Sequence, residues 1–331
     1  MAPRSQRLPR LGFLGVGWIG RHRMEAILAS GAAEAASIAD PSPEMQAAAL
    51  LLAPSARTVG GLEEMLDLDL DGIVIATPSA MHAEQSIRAL DAGLAVFCQK
   101  PLGRTAAEVR GVVEAARRAD RLLAVDLSYR FTQGMRQVRD LVRSGELGRV
   151  FAVDLVFHNA YGPDKPWFYD PVLAGGGCVM DLGVHLVDLA LWALDFPQVG
   201  SVAGRLLAQG GPVGLGEVED YAVATVELAG GTVLQLACSW RLHAGCDARI
   251  EAAFYGTQGG AALRNVGGSF YDFMAERYHG TGREQLSGPP DEWGGRAAAD
   301  WAMRLRDGAG FDPQSARLVE VAAVLDRIYG R

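Results

Sequence analysis

The stretch RLGFLGVGWIGRHRMEAILASG, residues 10–31, decides the reading of the first half of the chain. It opens on a short apolar run, Leu11 to Val16, which suits a buried strand. Gly15-x-Gly17-x-x-Gly20 follows and leads into a helical pattern ending near Gly31. Glycine-rich turns are common, but between a strand and a helix this spacing is a dinucleotide-binding fingerprint. Gly15 allows the tight turn, Gly17 lets a pyrophosphate approach the backbone, and Gly20 lets helix and strand pack closely. The N-terminus of the helix then faces the phosphates, and Trp18 and Ile19, inside the motif, count with the glycines as cofactor-binding.

Working outward, EAASIAD (34–40) is a second strand and ends in Asp40, twenty residues after Gly20. A carboxylate there accepts hydrogen bonds from the adenosine ribose hydroxyls and repels a 2′-phosphate. That favours NAD, with NADP left open because Ser42 and Arg57 could make room for a phosphate. Asp40 also reads as a turn residue in DPSPE capping the next helix, and the two roles are compatible. DGIVIAT (71–77), LAVFCQ (94–99) and RLLAVDLSY (121–129) are further strands, separated by a helix from about Ser79 and by one opened by a Thr105–Glu108 capping box. Strand–helix alternation over residues 9–128 predicts an α/β Rossmann domain, a parallel sheet with helices on both faces. Ligands bind beyond the carboxyl ends of such strands. Thr77, Pro78 and His82, then Gln99, Lys100 and Pro101, then Tyr129 and Arg130 fall there.

Past a helix near 132–144 the pattern changes. Residues 150–162, 201–209 and 248–256 are β-rich, and Val223–Leu228 and Val233–Cys238 form a hairpin around Gly230-Gly231. Residues 129–331 therefore read as an α+β domain: an open-faced, mostly antiparallel sheet packed by helices, chiefly one at 175–195. A last helix, about 313–328, is expected to return to the first domain, and 256–290 to form loops and short strands. The sheet's other face, with Val223, Thr225 and Leu236 or their alternates, wants a partner, so a homodimer or homotetramer is expected through it.

GGGCVMDLGVHLVDLALW (175–192) puts Asp181, His185 and Asp188 into an apolar run. The i, i+4 and i+3 offsets place all three on one side of a helix. Buried ionisable groups need partners or a purpose, and a structural network competes here with a catalytic one. Asp188 reads as a supporting partner or cap.

Bulk properties narrow the class. A net charge of −8 over 331 residues argues against a nucleic-acid binder. Four cysteines without a C-x-x-C pair read as reduced core residues. Neither a secretory leader nor a membrane-span-length apolar run is read, so a cytoplasmic protein is expected, its first eight residues disordered. No cluster has metal-ligand spacing. Only two of 31 basic residues are lysines, Lys100 and Lys165, and a retained lysine marks a site wanting a compact ammonium that can shed its proton.

In their order, G-V-G-W-I-G, T-P-S-A-M-H, Q-K-P and G-G-G-C-V-M-D-L-G-V-H-L-V-D resemble the Gfo/Idh/MocA oxidoreductases over about residues 10–325. The resemblance implies NAD(P) in the first domain, a sugar or polyol substrate, and Lys100, Asp181 and His185 as catalytic residues. It places Lys100 beside nicotinamide, often before a cis proline bond, here at Pro101, and His82 near nicotinamide. The family usually has E-K-P; Gln99 departs from it, leaving the ammonium less stabilised by a neighbouring carboxylate.

Hydride transfer from a secondary alcohol then assigns roles. His185 takes the hydroxyl proton, Asp181 holds the hydroxyl and orients His185, and Lys100 stabilises developing alkoxide. Arg130, His158 and Trp167, with Tyr161 and Asp170, are candidates for the substrate wall; His22 and His243 read as structural. The rival readings are an NAD-assisted glycosidase or lyase with transient sugar oxidation, and a non-catalytic nucleotide-sensing regulator.

Overall fold

Apolar runs set the central strands of the first sheet, because strands buried on both faces leave few polar positions. The strands are β1 (Arg10–Leu14), β2 (Glu34–Ala39), β3 (Arg57–Thr58), β4 (Gly72–Ile75), β5 (Ala95–Cys98) and β6 (Leu123–Val125). They run parallel in the order β3-β2-β1-β4-β5-β6; successive strands are added on one side of β1 and then on the other, which creates the switch point beyond which ligands bind. Helices α1 (Trp18–Ala29), α2 (Pro43–Leu50), α3 (Leu62–Leu66), α4 (Ser79–Asp91) and α5 (Ala106–Ala119) make the crossovers. The last strand is shorter than the sequence suggests. After Val125 the chain leaves the sheet at Asp126 and makes a 3-10 turn over Ser128–Phe131, which fixes Tyr129 and Arg130.

This computed structural model describes residues 7–331, so Met1–Gln6, most of the N-terminal segment expected to be disordered, lie outside the described residues. Arg7 donates to the Asp71 carboxylate at 2.9 Å. The described chain divides into two units. One holds the residues up to Gly103 with Ala107–Asp126 and Gly295–Val319; the other holds Arg104–Ala106, Leu127–Gly294 and Glu320–Arg331. A single boundary near residue 128 therefore does not describe it. Helix α9 (Arg296–Arg306), unread in the sequence, belongs to the first unit, while most of the last helix belongs to the second. Trp301 anchors α9: it is fully buried, its ring 5.8 Å from that of Phe97 on β5.

In the second unit the strands are β7 (Val150–Asn159), β8 (Val199–Ala208), β9 (Gly211–Pro212), β10 (Tyr221–Leu228), β11 (Val233–Ser239), β12 (Ala248–Gly256), β13 (Gly260–Asn265), β14 (Phe273–His279) and β15 (Gly282–Ser287). Their order is β15-β14-β13-β12-β7-β11-β10-β8-β9, antiparallel except where β11 meets β7. The hairpin pairs Val223 with Ala237 and turns at Gly230 and Gly231, both at positive φ. The region 256–290 is more regular than expected, since β13–β15 extend the sheet. Helices α6 (Gln133–Ser144), α7 (Pro171–Ala174), α8 (Val184–Ala193) and the C-terminal part of α10 (Arg317–Ile328) complete the unit.

One face of this sheet packs on α6 and α8 through Val153, Leu155, Ala224, Leu234, Ile250 and Leu263. Leu236 belongs to that covered face, not the open one: it is buried opposite Ala224. The open face keeps Val223 and Thr225 exposed but also bears Glu227, Gln235 and an Arg264–Glu276 pair at 2.6 Å, so it is less apolar than expected. Of the cysteines, Cys98, Cys178 and Cys238 are buried as expected and Cys246 is exposed.

The single helix expected over 175–195 is broken. Residues Val179–Gly183 form a π turn leading into α8. By length and composition Pro171–Ala193 would pass for a membrane span, contrary to the sequence reading, but it is mostly buried in the core of the second unit.

Candidate active site

In the first unit, the glycines act through the atoms they omit. A Cβ at Gly15, where φ is +85°, would lie 2.5 Å from the Ala76 carbonyl oxygen. One at Gly20 would lie 2.1 Å from the Gly15 carbonyl oxygen. One at Gly17 would meet nothing within 4 Å. The first and third glycines thus close the turn, and the second keeps open the space above it at the N-terminus of α1. That cradle fits a dinucleotide pyrophosphate. Trp18 stands exposed beside it and Ile19 half-buried.

Asp40, just past β2, accepts from the Val16 N–H at 2.8 Å through Oδ2 and from the Ser42 N–H at 2.9 Å through Oδ1. It therefore ties the glycine turn to the start of α2, where Ser42 caps the helix by accepting from Met45. Each carboxylate oxygen has a further lone-pair site, so ribose binding and this bracing are compatible.

Beyond β4, the Thr77 hydroxyl donates to Gln85 Oε1 at 2.6 Å, and Pro78 leads into α4. His82 is buried, with Nδ1 2.6 Å from the Pro101 carbonyl oxygen and Nε2 2.7 Å from the Thr77 carbonyl oxygen. Both ring nitrogens of this expected cofactor contact lie against backbone carbonyls, and the ring braces the two strand ends. Its pKa is lowered, chiefly by burial, with the Lys100 charge acting in the same direction. Beyond β5 come Gln99, buried, and Lys100, half-buried, with a cis Lys100–Pro101 peptide bond. Lys165, the other lysine, lies on the surface 3.1 Å from Asp164.

In the second unit, the three glycines at 175–177 have a steric reason. A Cβ at Gly176 would lie 2.0 Å from the Tyr329 hydroxyl, and one at Gly177 would lie 1.9 Å from the Glu219 carbonyl oxygen. Glu219, which the sequence reading passed over, anchors this turn. Its buried carboxylate accepts from the N–H groups of Gly177 (3.0 Å) and Val179 (2.9 Å) and from the Tyr329 hydroxyl (2.7 Å). Burial raises its pKa. Within the acidic run Glu217–Asp220, between two β-rich segments, nothing in the sequence singles Glu219 out.

The π turn that follows carries Asp181, and α8 carries His185 and Asp188. Single π turns inside helices recur at functional sites because they re-aim side chains. Asp181 is half-exposed, and its Oδ2 accepts from the Trp240 indole N–H at 3.0 Å. Trp240 was also missed; it is buried at the end of β11, edge-on to Tyr169. His185 stands edge-on to Tyr129, ring centres 4.8 Å apart, and against Phe157.

Asp188 is diverted. It takes both Nε and Nη2 of Arg130, with Arg130 Nε at 2.7 Å, and burial raises its pKa against the effect of that guanidinium. Arg130 also lies over Trp192 and Phe196, at 5.5 and 5.7 Å, so this substrate candidate is committed to a partly buried ion pair. His158 is buried, its Nδ1 2.7 Å from the Ser239 hydroxyl and its ring stacked on Tyr221. Burial, and then Arg249, lowers its pKa. Trp167 is half-buried and stacks on Phe168 at 3.8 Å, Asp170 caps α7, and Tyr161 is exposed. Among the described residues no group of three or more His, Cys, Asp or Glu side chains could hold a metal.

Residues 9–127 match the oxidoreductase family with an NAD-binding Rossmann fold, and residues 135–262 match the GFO/IDH/MocA C-terminal domain. The chain is 30% identical to a D-glucoside 3-dehydrogenase of Escherichia coli (strain K12), over 60% of each chain. It is 29% identical to a 1,5-anhydro-D-fructose reductase of Ensifer adhaerens, over 78% of this chain and 76% of that one. Among solved structures, levoglucosan dehydrogenase in complex with NADH and levoglucosan has the same fold, with a TM-score of 0.83 at 21% identity over 98% of this chain and 97% of that one. With both halves matched in order, the chain belongs to the GFO/IDH/MocA family of NAD-binding oxidoreductases.

Proposed function

We propose that this protein is an NAD-dependent oxidoreductase that moves a hydride between nicotinamide and a secondary hydroxyl or keto group of a sugar, inositol or related polyol. The observation that carries the reading is the π turn. It carries Asp181, pinned by Trp240, and leads into α8, where His185 stands edge-on to Tyr129 and Asp188 pairs with Arg130. Similarity to sugar dehydrogenases and reductases supports the substrate class.

The glycine turn would hold the pyrophosphate and Asp40 the adenosine ribose. When bound, NAD supplies the hydride acceptor. The other steps fall to the chain. Asp181 accepts a hydrogen bond from a substrate hydroxyl next to the reacting one and so holds the reacting carbon in place. A His185 ring nitrogen takes the hydroxyl proton as the C–H bond breaks and the C=O bond forms. The Lys100 ammonium stabilises the negative charge developing on that oxygen. The reverse reaction uses the same groups with the proton returned. Asp40 favours NAD over NADP, because a 2′-phosphate would meet its carboxylate.

The test is NADH formation by the purified protein across inositols, aldoses, glucosides and anhydrosugars. We expect turnover on at least one class; absence of turnover across the panel, with or without NAD affinity, would overturn the reading. A second copy covering the open sheet face belongs to the same proposal, supported by exposed Val223 and Phe151 on that sheet. It predicts a dimeric or tetrameric mass at micromolar concentration, and a monomer would refute it.

A further inference from the structure

The end of β5 carries a polar chain that the proposed mechanism leaves unused. Gln99 Nε2 donates to Asp126 Oδ2 at 2.7 Å, and Arg23 Nε, on α1, donates to the same oxygen at 2.7 Å. Arg23 Nη1 lies 2.9 Å from His22 Nδ1. All three central residues are buried: Asp126 is 2% exposed, Arg23 6% and Gln99 7%. The other carboxylate oxygen, Asp126 Oδ1, is buried and has no hydrogen-bond partner among the described residues.

Two consequences follow from charge and donor count. An ionised carboxylate only accepts, so the NH2 end of Gln99 must face Asp126, and its carbonyl oxygen points the opposite way. A glutamate at position 99 would bring a second carboxylate to hydrogen-bond distance of Asp126, with one guanidinium for both. In a buried site one of the two would have to hold a proton. Glutamine therefore fits here because the one guanidinium, Arg23, matches the one carboxylate, Asp126.

We propose that Asp126, held by Arg23, is a positioning residue for Gln99. It locks the amide so that a neutral acceptor, the Gln99 carbonyl oxygen, is presented next to Lys100 to a donor on the nicotinamide half of the cofactor. That donor is a ribose hydroxyl or the carboxamide N–H. The network also links α1, whose N-terminus forms the glycine turn, to the strand end that carries the lysine. The inference rests on the proposed NAD binding for its ligand, but the lock itself does not.

The test compares wild type, Gln99→Glu, and Gln99→Glu combined with Asp126→Asn, which exchanges acid and amide and keeps one carboxylate for Arg23. NAD affinity is read by titration of the purified protein, and thermal midpoint is read without NAD. In Gln99→Glu, a shared proton is lost as pH rises, so the midpoint should fall between about pH 5 and pH 8 relative to wild type. NAD affinity should drop about tenfold or more at pH 8 and recover at lower pH. The double variant should regain affinity to within about threefold and lose the added pH dependence. A Gln99→Glu variant that matches wild type in both readouts across this range, or a double variant no better than the single one, overturns the lock. If wild type binds no NAD but the two variants show the predicted midpoints, the lock stands and only its ligand is overturned. With 3-acetylpyridine adenine dinucleotide, which lacks the carboxamide N–H, loss of the Gln99→Glu effect assigns the donor to the carboxamide, and its persistence assigns it to the ribose.

Discussion

At the end of β1 the chain makes room by leaving side chains out; at the start of α8 it places side chains and then finds partners for them. Gly15 and Gly20 are held by clashes that any Cβ would create, and Gly17 by an empty space. Asp181, His185 and Asp188 are held by an indole, an aromatic edge and a guanidinium. The difference decides how each fails. A backbone cradle fails by strain at some positions and by a filled space at another. A side-chain site fails by loss of chemistry at some positions and by an unpaired charge at another.

The largest effect should separate neighbours on α8. His185→Asn should lower turnover by about 10²–10⁴, the range for a removed general base, while the protein stays folded. Assay of both properties checks this, and a variant with wild-type turnover would return His185 to the structural network. Asp188→Ala should do the reverse, costing about 3 kcal/mol in urea unfolding because Arg130 is left without its carboxylate. That figure is the low end for a buried pair, since Arg130 remains partly in water. A loss below about 1 kcal/mol would show that the pair behaves as a surface bridge.

Next comes the contrast inside the glycine turn. Gly20→Ala should destabilise the fold by roughly 1–3 kcal/mol, since its methyl must displace backbone. Gly17→Ala should leave stability within about 0.5 kcal/mol and weaken NAD binding instead. Equal effects of the two substitutions on stability would break the comparison.

The smallest effect is in pH. His22, His82 and His158 all have lowered pKa values, each chiefly through burial. The unfolded chain therefore takes up protons before the folded one as pH falls below the ordinary histidine value of 6.5. The stability these neutral rings provide is complete above that value and is lost as pH falls through the lowered ones. Thermal midpoints should decline below it, and less so in a His158→Gln variant. A midpoint that rises on acidification in this range would contradict the assigned burial.

The comparison also explains what the sequence revealed. A cradle made from missing side chains leaves a short local signature, so Gly15, Gly17 and Gly20 were readable, as was the strand–helix alternation around them. The 175–192 run displayed its ionisable residues but not their separate fates. Asp188's partner, Arg130, lies 58 residues away in sequence, and Asp181's partner, Trp240, lies 59 away. The π turn has no composition cue that distinguishes it from the helix it interrupts. Helix α9 was missed because its buried stripe is mostly alanine around Trp301, and its place in the first unit depends on contacts made across the whole chain length. Asp126 was visible at the end of a buried strand, but its pairing with Arg23 spans 103 positions.

The most direct test of the central claim is NADH formation on a productive sugar or polyol, measured with NAD affinity in wild type and His185→Asn. The variant should bind NAD within about threefold of wild type and form NADH at least about a hundredfold more slowly. Equal rates in the two proteins, or a wild type that binds NAD and never reduces it on any panel member, would contradict it.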